Sequence, residues 1–209
     1  MKIAREGYPW ILGALIFSLG FIALGWLWVS GAVILFALAF MGFFRDPERT
    51  APAGDELVLS PADGRIVGIH DVGTGRLLDE SGTQVSIFLS PLDVHVNRAP
   101  IGGRVERVRY RPGRFFAAYR DKASEDNEQN ALRMVDSKGR SLSIVQIAGV
   151  VARRIVCYVR EGDALERGQR VGLIMFGSRV DLFMPRGSRV EVVEGQRVKG
   201  GETVIGRLS

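Results

Sequence analysis

Gly172–Pro185 reads Gly-Leu-Ile-Met-Phe-Gly-Ser-Arg-Val-Asp-Leu-Phe-Met-Pro. Apolar residues run from Leu173 to Phe176. After Gly177-Ser178, Val180, Leu182 and Met184 alternate with Arg179, Asp181 and Phe183. That is the pattern of two strands meeting at a tight bend. Glycine takes backbone angles closed to other residues and lets a neighbouring group come close. A serine straight after it has its hydroxyl near the preceding carbonyl. If that peptide is strained, the hydroxyl can attack it, and the amide becomes an ester. Taken alone, Gly-Ser is first of all a turn pair, so the rest of the chain has to decide.

Working outward, the chain is β-rich from Leu57 on. Short apolar or alternating runs lie at Leu57–Ser60, Arg65–His70, Gln84–Leu89, Arg104–Tyr110, Ala131–Asp136, Ser143–Ala148 and Ile155–Arg160, separated by Gly, Pro or Asp/Ser clusters. Many short strands at this spacing predict a mainly β fold, a compact sandwich or barrel rather than alternating β/α units. A weak repeat pairs Glu161–Gly172 with Glu194–Gly206, each a turn, a short strand, a glycine turn and another strand. Such paired turns suit a lipoyl-like barrel-sandwich in the C-terminal half. Ser178 then follows the first unit directly, and the second unit closes over it.

Trp10 to Phe44 holds no charged residue. At ~1.5 Å per residue the run is too long for one span of a ~30 Å hydrocarbon core. Ser30-Gly31 offers a break, so two short apolar helices are expected, near Tyr8–Trp28 and Ala32–Phe44. Lys2 and Arg5 precede the pair, and Arg45 and Arg49 follow it. Basic flanks stay cytoplasmic, which predicts a helical hairpin over residues 1–45 holding a domain of residues 46–209 on the cytoplasmic face of the cell membrane. A cleaved signal peptide fits less well, because the run is too long and lacks a small-residue cleavage site.

The 209 residues carry 28 Lys+Arg against 23 Asp+Glu, a formal +5. That balance permits anionic lipid, phosphate-bearing substrates or nucleic acid. The single cysteine, Cys157, cannot form an internal disulfide and sits in an apolar run. With two histidines in the chain, a Cys/His zinc site is excluded, and no metal is expected.

Three polar sites stand out. Ser60-Pro-Ala-Asp-Gly64 places Asp63 at a turn between strands. Ser90–Pro100 packs Asp93, His95, Asn97 and Arg98 between two prolines after a strand, and reads as a rigid polar loop. His70, beside Asp71, reads as a solvated turn histidine. That leaves His95 as the best general acid or base. Ser178 is the third site. Asp, His and Ser are the parts of an activated-serine relay. Yet no Gly-x-Ser-x-Gly elbow is present and the sheet is not that of an α/β-hydrolase. Attack by Ser178 on its own backbone is favoured over peptidase chemistry.

Together these residues resemble the phosphatidylserine decarboxylase proenzymes, especially the short bacterial and archaeal form. The stretches that carry the resemblance are Ser60–Gly64, Ser90–Pro100, Asp121–Asn130, Gln146–Arg154 and Gly172–Pro185, with the apolar N-terminus. The resemblance implies self-cleavage between Gly177 and Ser178 into fragments 1–177 and 178–209. These stay together as a heterodimer, with Ser178 converted to a pyruvoyl group. It also implies a membrane-associated lyase of phospholipid synthesis whose product is phosphatidylethanolamine, with phospholipid and membrane as partners and no nucleic acid. Asp63 and His95 are the implied relay to Ser178. Larger members have a second histidine three residues on, where this chain has Arg98, and Thr where it has Arg179.

The implied chemistry explains the parts. Serine attack gives an ester, elimination gives dehydroalanine, and hydrolysis releases ammonia and leaves a ketone. That ketone takes the substrate amine and draws off the electrons of the departing carboxylate. His95 returns a proton to the α carbon. An arginine holds the phosphodiester, with Arg98, Arg111 and Arg114 foremost and Arg153 and Arg154 behind them. Two alternatives stand beside this. One is a decarboxylase of the ether-linked archaetidylserine type. The other is a non-enzymatic lipoyl-like membrane adaptor, suggested by Asp121-Lys122-Ala123, although Lys122 precedes both repeat units.

Overall fold

The computed structural model describes residues 2–73, 81–113, 127–149, 154–175 and 178–209. Arg114, Lys122, Arg153 and the pair Phe176-Gly177 lie outside the described residues. The chain divides into two compact units, Met1–Glu48 and Arg49–Ser209.

In the first unit, β1 (Lys2–Ile3) pairs antiparallel with β2 (Arg45–Asp46). Between them α1 (Tyr8–Ala23) packs against α2 (Leu27–Phe43). Pro9 sits in the first turn of α1, where its missing N–H costs nothing. The break between the helices is not at Ser30-Gly31. It falls at Leu24–Trp26, where Gly25 takes φ 74°, a left-handed angle that only glycine adopts without strain. Ser30 lies inside α2 and is buried, and its Oγ meets Ser18 Oγ of α1 at 2.7 Å. A hydroxyl satisfied across the helix pair has no reason to interrupt the helix. Ile16, Phe17, Leu19, Leu35 and Phe36 are exposed, an apolar surface too large for a soluble monomer to leave bare without purpose. Arg5–Ala23 is the one segment among the described residues long and apolar enough to cross a membrane. The 17 residues of α2 rise about 25 Å, short of a full span.

The second unit is mainly β, its large sheet curled into a half-barrel. One set of strands is β3 (Leu57–Leu59), β4 (Gly64–Val72) and β5 (Gly82–Leu89), joined much later by β13 (Ser178–Pro185), β14 (Arg189–Val190), β15 (Arg197–Val198) and β16 (Val204–Arg207). The other set is continuous: β6 (Val96–Arg98), β7 (Gly103–Arg111), β8 (Gln129–Val135), β9 (Ser141–Ala148), β10 (Ile155–Cys157), β11 (Ala164–Leu165) and β12 (Arg170–Ile174). The eight-stranded antiparallel sheet runs β11-β7-β8-β9-β13-β5-β4-β15, flanked by β10-β12-β6 and β14-β16-β3. Exchanging the two sets reproduces all three orders, so the unit is an internal duplication.

Hydrogen bonds repeat with the strands. Arg98 N donates to Pro61 O, and Leu59 N to Pro100 O. Gly162 N donates to Val105 O as Gly195 N does to Ile66 O, and Gly168 N to Ala99 O as Gly201 N does to Ser60 O. Val108 N donates to Glu161 Oε1, and Ile69 N to Glu194 Oε1. These bonds tie the Glu161–Gly172 and Glu194–Gly206 units, legible as a repeat, onto equivalent edges of the sheet.

The duplication is nested, and this positions the site. Within the second set, β8 turns into β9 over Asp136–Arg140, closed by Asp136 N to Arg140 O. At the equivalent place in the first set the chain leaves after Leu89, builds the whole second set, and returns at Ser178, which is Leu89's ladder partner. Ser178 thus stands where a strand reached by a hairpin turn would otherwise begin.

The core lies on the inner face of the large sheet, among Ile87, Leu89, Leu132, Ile144, Val180, Leu182 and Met184. Each such fully buried side chain contributes about 1.5–3 kcal/mol. Two expectations change. Val96–Arg98, read as part of a rigid loop, is a strand, because Val96 and Asn97 pair with Leu173 and Gly172. The strands flanking Gly177-Ser178 also do not form a hairpin with each other. β12 belongs to a three-stranded sheet and β13 to the eight-stranded one, so the chain changes sheets there.

Candidate functional site

Ser178 opens β13, a central strand paired with β5 and β9. It faces Leu89 on one side and Ala148 on the other. Side chains alternate along a strand, so Ser178 shares the inner face with Val180 and Leu182. It is 0% exposed, and its Oγ has no hydrogen-bond partner among the described residues. A buried hydroxyl without a partner is uncommon and calls for an explanation.

Behind it, on the opposite face, Arg179 and Asp181 form a buried two-point ion pair. Nε lies 2.9 Å from Oδ1, and Nη2 donates to Oδ2 at 3.1 Å. Burial pushes the Asp181 carboxyl up, against the pull of Arg179, the Ser86 hydroxyl and His70.

His95 is also 0% exposed. Its Nδ1 lies 3.0 Å from the main-chain oxygen of Asp93. A carbonyl oxygen can only accept, so Nδ1 carries the proton, and in the neutral ring Nε2 keeps the lone pair. The ring is thereby set as a base through Nε2. Asp93 is fixed in turn: its Oδ2 accepts from Ser90 N at 2.8 Å, and its Oδ1 lies 3.3 Å from Arg197 Nη1. The main-chain oxygen of His95 accepts from Ile174 N at 3.3 Å. The strand leading into the Gly177-Ser178 bond is thus held by the histidine residue itself.

Asp63 Oδ2 accepts from Arg49 Nη2 at 2.8 Å, and its Oδ1 from Gly200 N at 2.7 Å. Arg49 also reaches Glu202 at 3.0 Å. Arg49 had the look of a membrane-flanking charge; its part in bracing Asp63 had no local signal. The Asp63 turn is joined to the His95 strand by the bond from Arg98 N to Pro61 O. Arg98 is 4% exposed, and its Nη1 donates to Gly168 O at 2.9 Å. Its side chain packs on Gly201, where a Cβ would come within 2.8 Å of Arg98 Cδ. Arg111 is exposed at the end of β7, and Arg154 is exposed before β10. His70 is exposed but lies on β4, not in a turn. Cys157 is partly buried and its Sγ reaches Val159 O.

Sequence reasoning missed a chain of buried amides, Asn130–Gln146–Asn97, that crosses between the sheets beside these groups. Among the described residues no group of three or more His, Cys, Asp or Glu is arranged to hold a metal. A cavity of about 290 Å³ lies instead at the Asp136–Arg140 turn, lined by Asp55, Asp136, Lys138 and Arg167 among others. Neither Ser178 nor His95 lines it.

A serine and a histidine that are both fully buried, the first at the start of a central strand and the second with its Nδ1 on a backbone carbonyl, are of the residue types that acyl-shift and acid–base chemistry use. The family model described as phosphatidylserine decarboxylase matches residues 36–206. The chain is 50% identical over 219 aligned residues to the phosphatidylserine decarboxylase proenzyme of Xanthobacter autotrophicus, covering 100% of this chain and 90% of that protein. It is 48% identical over 207 residues to that of Symbiobacterium thermophilum, covering 99% and 95%. It is 44% identical over 205 residues to that of Syntrophus aciditrophicus, covering 98% and 96%. The chain belongs to the phosphatidylserine decarboxylase family.

Proposed function

We propose that this chain is a self-processing, pyruvoyl-dependent decarboxylase that converts phosphatidylserine to phosphatidylethanolamine and carbon dioxide at the cytoplasmic face of a membrane. The observation that carries it is Ser178, fully buried with an Oγ that has no hydrogen-bond partner among the described residues, at the start of a strand that pairs with β5 without following it in a hairpin. That hydroxyl fits a residue reserved for conversion to the pyruvoyl group. The group supplies an electron sink for the bond to the departing carboxylate.

The chain's own residues have the following roles. His95 Nε2 takes the Ser178 hydroxyl proton during self-cleavage and, after maturation, delivers a proton to the substrate's α carbon. Asp63, held by Arg49 and Gly200 N, steadies positive charge on the imidazole. Arg98, whose guanidinium is tied to Gly168 O, braces the two glycine turns and the His95 strand. Exposed Arg111 is the better placed for a phosphodiester, and Arg114 shares that role. Fragments 1–177 and 178–209 work as one heterodimer. The test is decarboxylation of carboxyl-labelled phosphatidylserine by the purified full chain, read as released label and new phosphatidylethanolamine. Absence of both, with the chain folded and cut, overturns the activity.

Residues 1–45 are proposed as the membrane anchor of a domain spanning 46–209, on the exposed apolar faces of α1 and α2. Deleting residues 1–44 is expected to move the protein from the membrane pellet to the supernatant, assayed by sedimentation at high salt. A truncated chain that still pellets with membranes puts the anchor elsewhere.

A further inference from the structure

Asn97 carries one polar group without a partner among the described residues. Its Oδ1 accepts from Gln146 Nε2 at 2.8 Å, and Gln146 Oε1 accepts from Asn130 Nδ2 at 2.8 Å. Asn97, Gln146 and Asn130 are 0%, 0% and 2% exposed. At the end of this relay Asn97 Nδ2 is buried and has no hydrogen-bond partner among the described residues. A cross-brace needing no free end would be better built from apolar side chains, since a buried donor left unmet costs its full desolvation.

The relay includes a residue on the strand beside Ser178. Gln146 is the ladder partner of Val180, and Ser178 stands two residues before Val180 on the same face, roughly 7 Å along the strand. Gln146 reaches across from the large sheet over Gly172, where a Cβ would come within 2.8 Å of its Nε2. Gly172 is the partner of Asn97 in the small sheet, and Asn97 lies two residues after His95. The missing side chain at Gly172 is what lets the relay pass. Ser178 Oγ and Asn97 Nδ2 are therefore two fully buried polar groups, each without a partner among the described residues, on faces that look into the same inter-sheet layer.

We infer that the Asn97 Nδ2–H group is the charge-stabilising donor of self-cleavage, aimed by Gln146 and Asn130; this rests on the self-processing proposed above. Ser178 Oγ gives its proton to His95 Nε2 and bonds to the carbonyl carbon of residue 177. The carbonyl π electrons move onto its oxygen, and the Asn97 N–H holds that oxygen. The pair then returns, the C–N bond to the Ser178 nitrogen breaks, and that nitrogen takes the proton from the imidazolium. The product is an ester and a free amine, with no outside reactant.

The test follows conversion of freshly translated full-length precursor to its fragments on denaturing gels across pH, with and without hydroxylamine, which splits esters. Asn97→Asp keeps the acceptor for Gln146 and removes only the donor. Loss of one such donor slows a reaction by ~10²–10³-fold, and a loss of that size is expected wherever the new carboxyl is ionised. A buried carboxyl titrates above its ordinary value, and its protonated form supplies an O–H. Processing should therefore recover as pH falls through that titration, while melting temperatures in the same buffers do not follow the rate. Hydroxylamine should not rescue cutting, because the block precedes the ester. N97D precursor cutting at the wild-type rate at every pH overturns the inference, as does uncut N97D precursor that hydroxylamine splits as fast as wild type. Should N97D fail to fold, Gln146→Met decides, since it removes the aim without adding charge: slowed cutting supports the inference, and a wild-type rate overturns it. A wild-type chain that itself stays whole defeats the self-cleavage reading; wild type cut and N97D cut equally defeats this inference alone.

Discussion

A Ser178→Ala chain is expected to remain a single polypeptide with no decarboxylase activity above background, while wild type resolves into fragments 1–177 and 178–209 on a denaturing gel. The hydroxyl removed is a buried Oγ without a hydrogen-bond partner among the described residues. The alanine chain should be folded, because Ser178 Oγ makes no hydrogen bond among the described residues that its loss would break. The cut wild-type fragments should copurify and separate only in denaturant. β13 is paired along Ser178–Pro185 with β5 and along Ser178–Phe183 with β9, so the small fragment's first strand is locked into the middle of the large sheet. β12 ends at Ile174 and β13 begins at Ser178 in a different sheet, so a cut just before Ser178 should leave the β13 ladders in place. Mass spectrometry of the small fragment checks the chemistry: its N-terminus should resist stepwise sequencing. A fragment beginning with free serine, or an uncut wild-type chain, ends the pyruvoyl proposal.

What could be read from the sequence was local, and what could not was pairing. Runs such as Gln84–Leu89 and Ser143–Ala148 announce strands because their period and residue types are strand-like over six residues. The apolar stretch announces helices, but its break was misplaced. Ser30 and Gly31 look like punctuation only until Ser18 on the neighbouring helix is seen to satisfy the serine. The Glu161–Gly172 and Glu194–Gly206 match is visible because its turns need glycine at positive φ, as at Gly162, Gly168, Gly195 and Gly201. The rest of the duplication was invisible, since a strand is specified by alternation and many sequences meet that condition. Nothing in the order of residues says that β9 and β13 are equivalent.

The site divides in the same way. His95 is one of two histidines and Ser178 follows a glycine between two apolar runs, so both stand in informative settings, and both are fully buried. The braces are ordinary residues made useful by distant partners. Arg49 meets Asp63 and Glu202, and Gln146 meets Asn97 through the gap left by Gly172. Such contacts join parts of the chain too far apart for any sequence pattern to report.

For His95→Ala the expected result is two separable defects. Self-cleavage should slow, because no second histidine follows three residues on; Arg98 stands there with its guanidinium already donating to Gly168 O. Turnover should also fall, by the ~10²–10⁴-fold that a positioned acid–base group contributes. The two are separated by letting the variant mature and scoring decarboxylation per cleaved molecule. Binding should survive, since the amine is taken up at residue 178 and the phosphodiester by arginine, so the loss should appear in kcat rather than KM. His95→Asn sharpens the test. Its Nδ2–H can replace the Nδ1 hydrogen bond to Asp93 O and so preserve the loop, but it leaves no proton carrier at the position of Nε2. If His95→Asn turns over as slowly as His95→Ala, proton transfer is what was lost. If the cleaved His95→Ala enzyme releases carbon dioxide at the wild-type rate, the proton reaches the α carbon by another route, and His95 belongs to maturation alone.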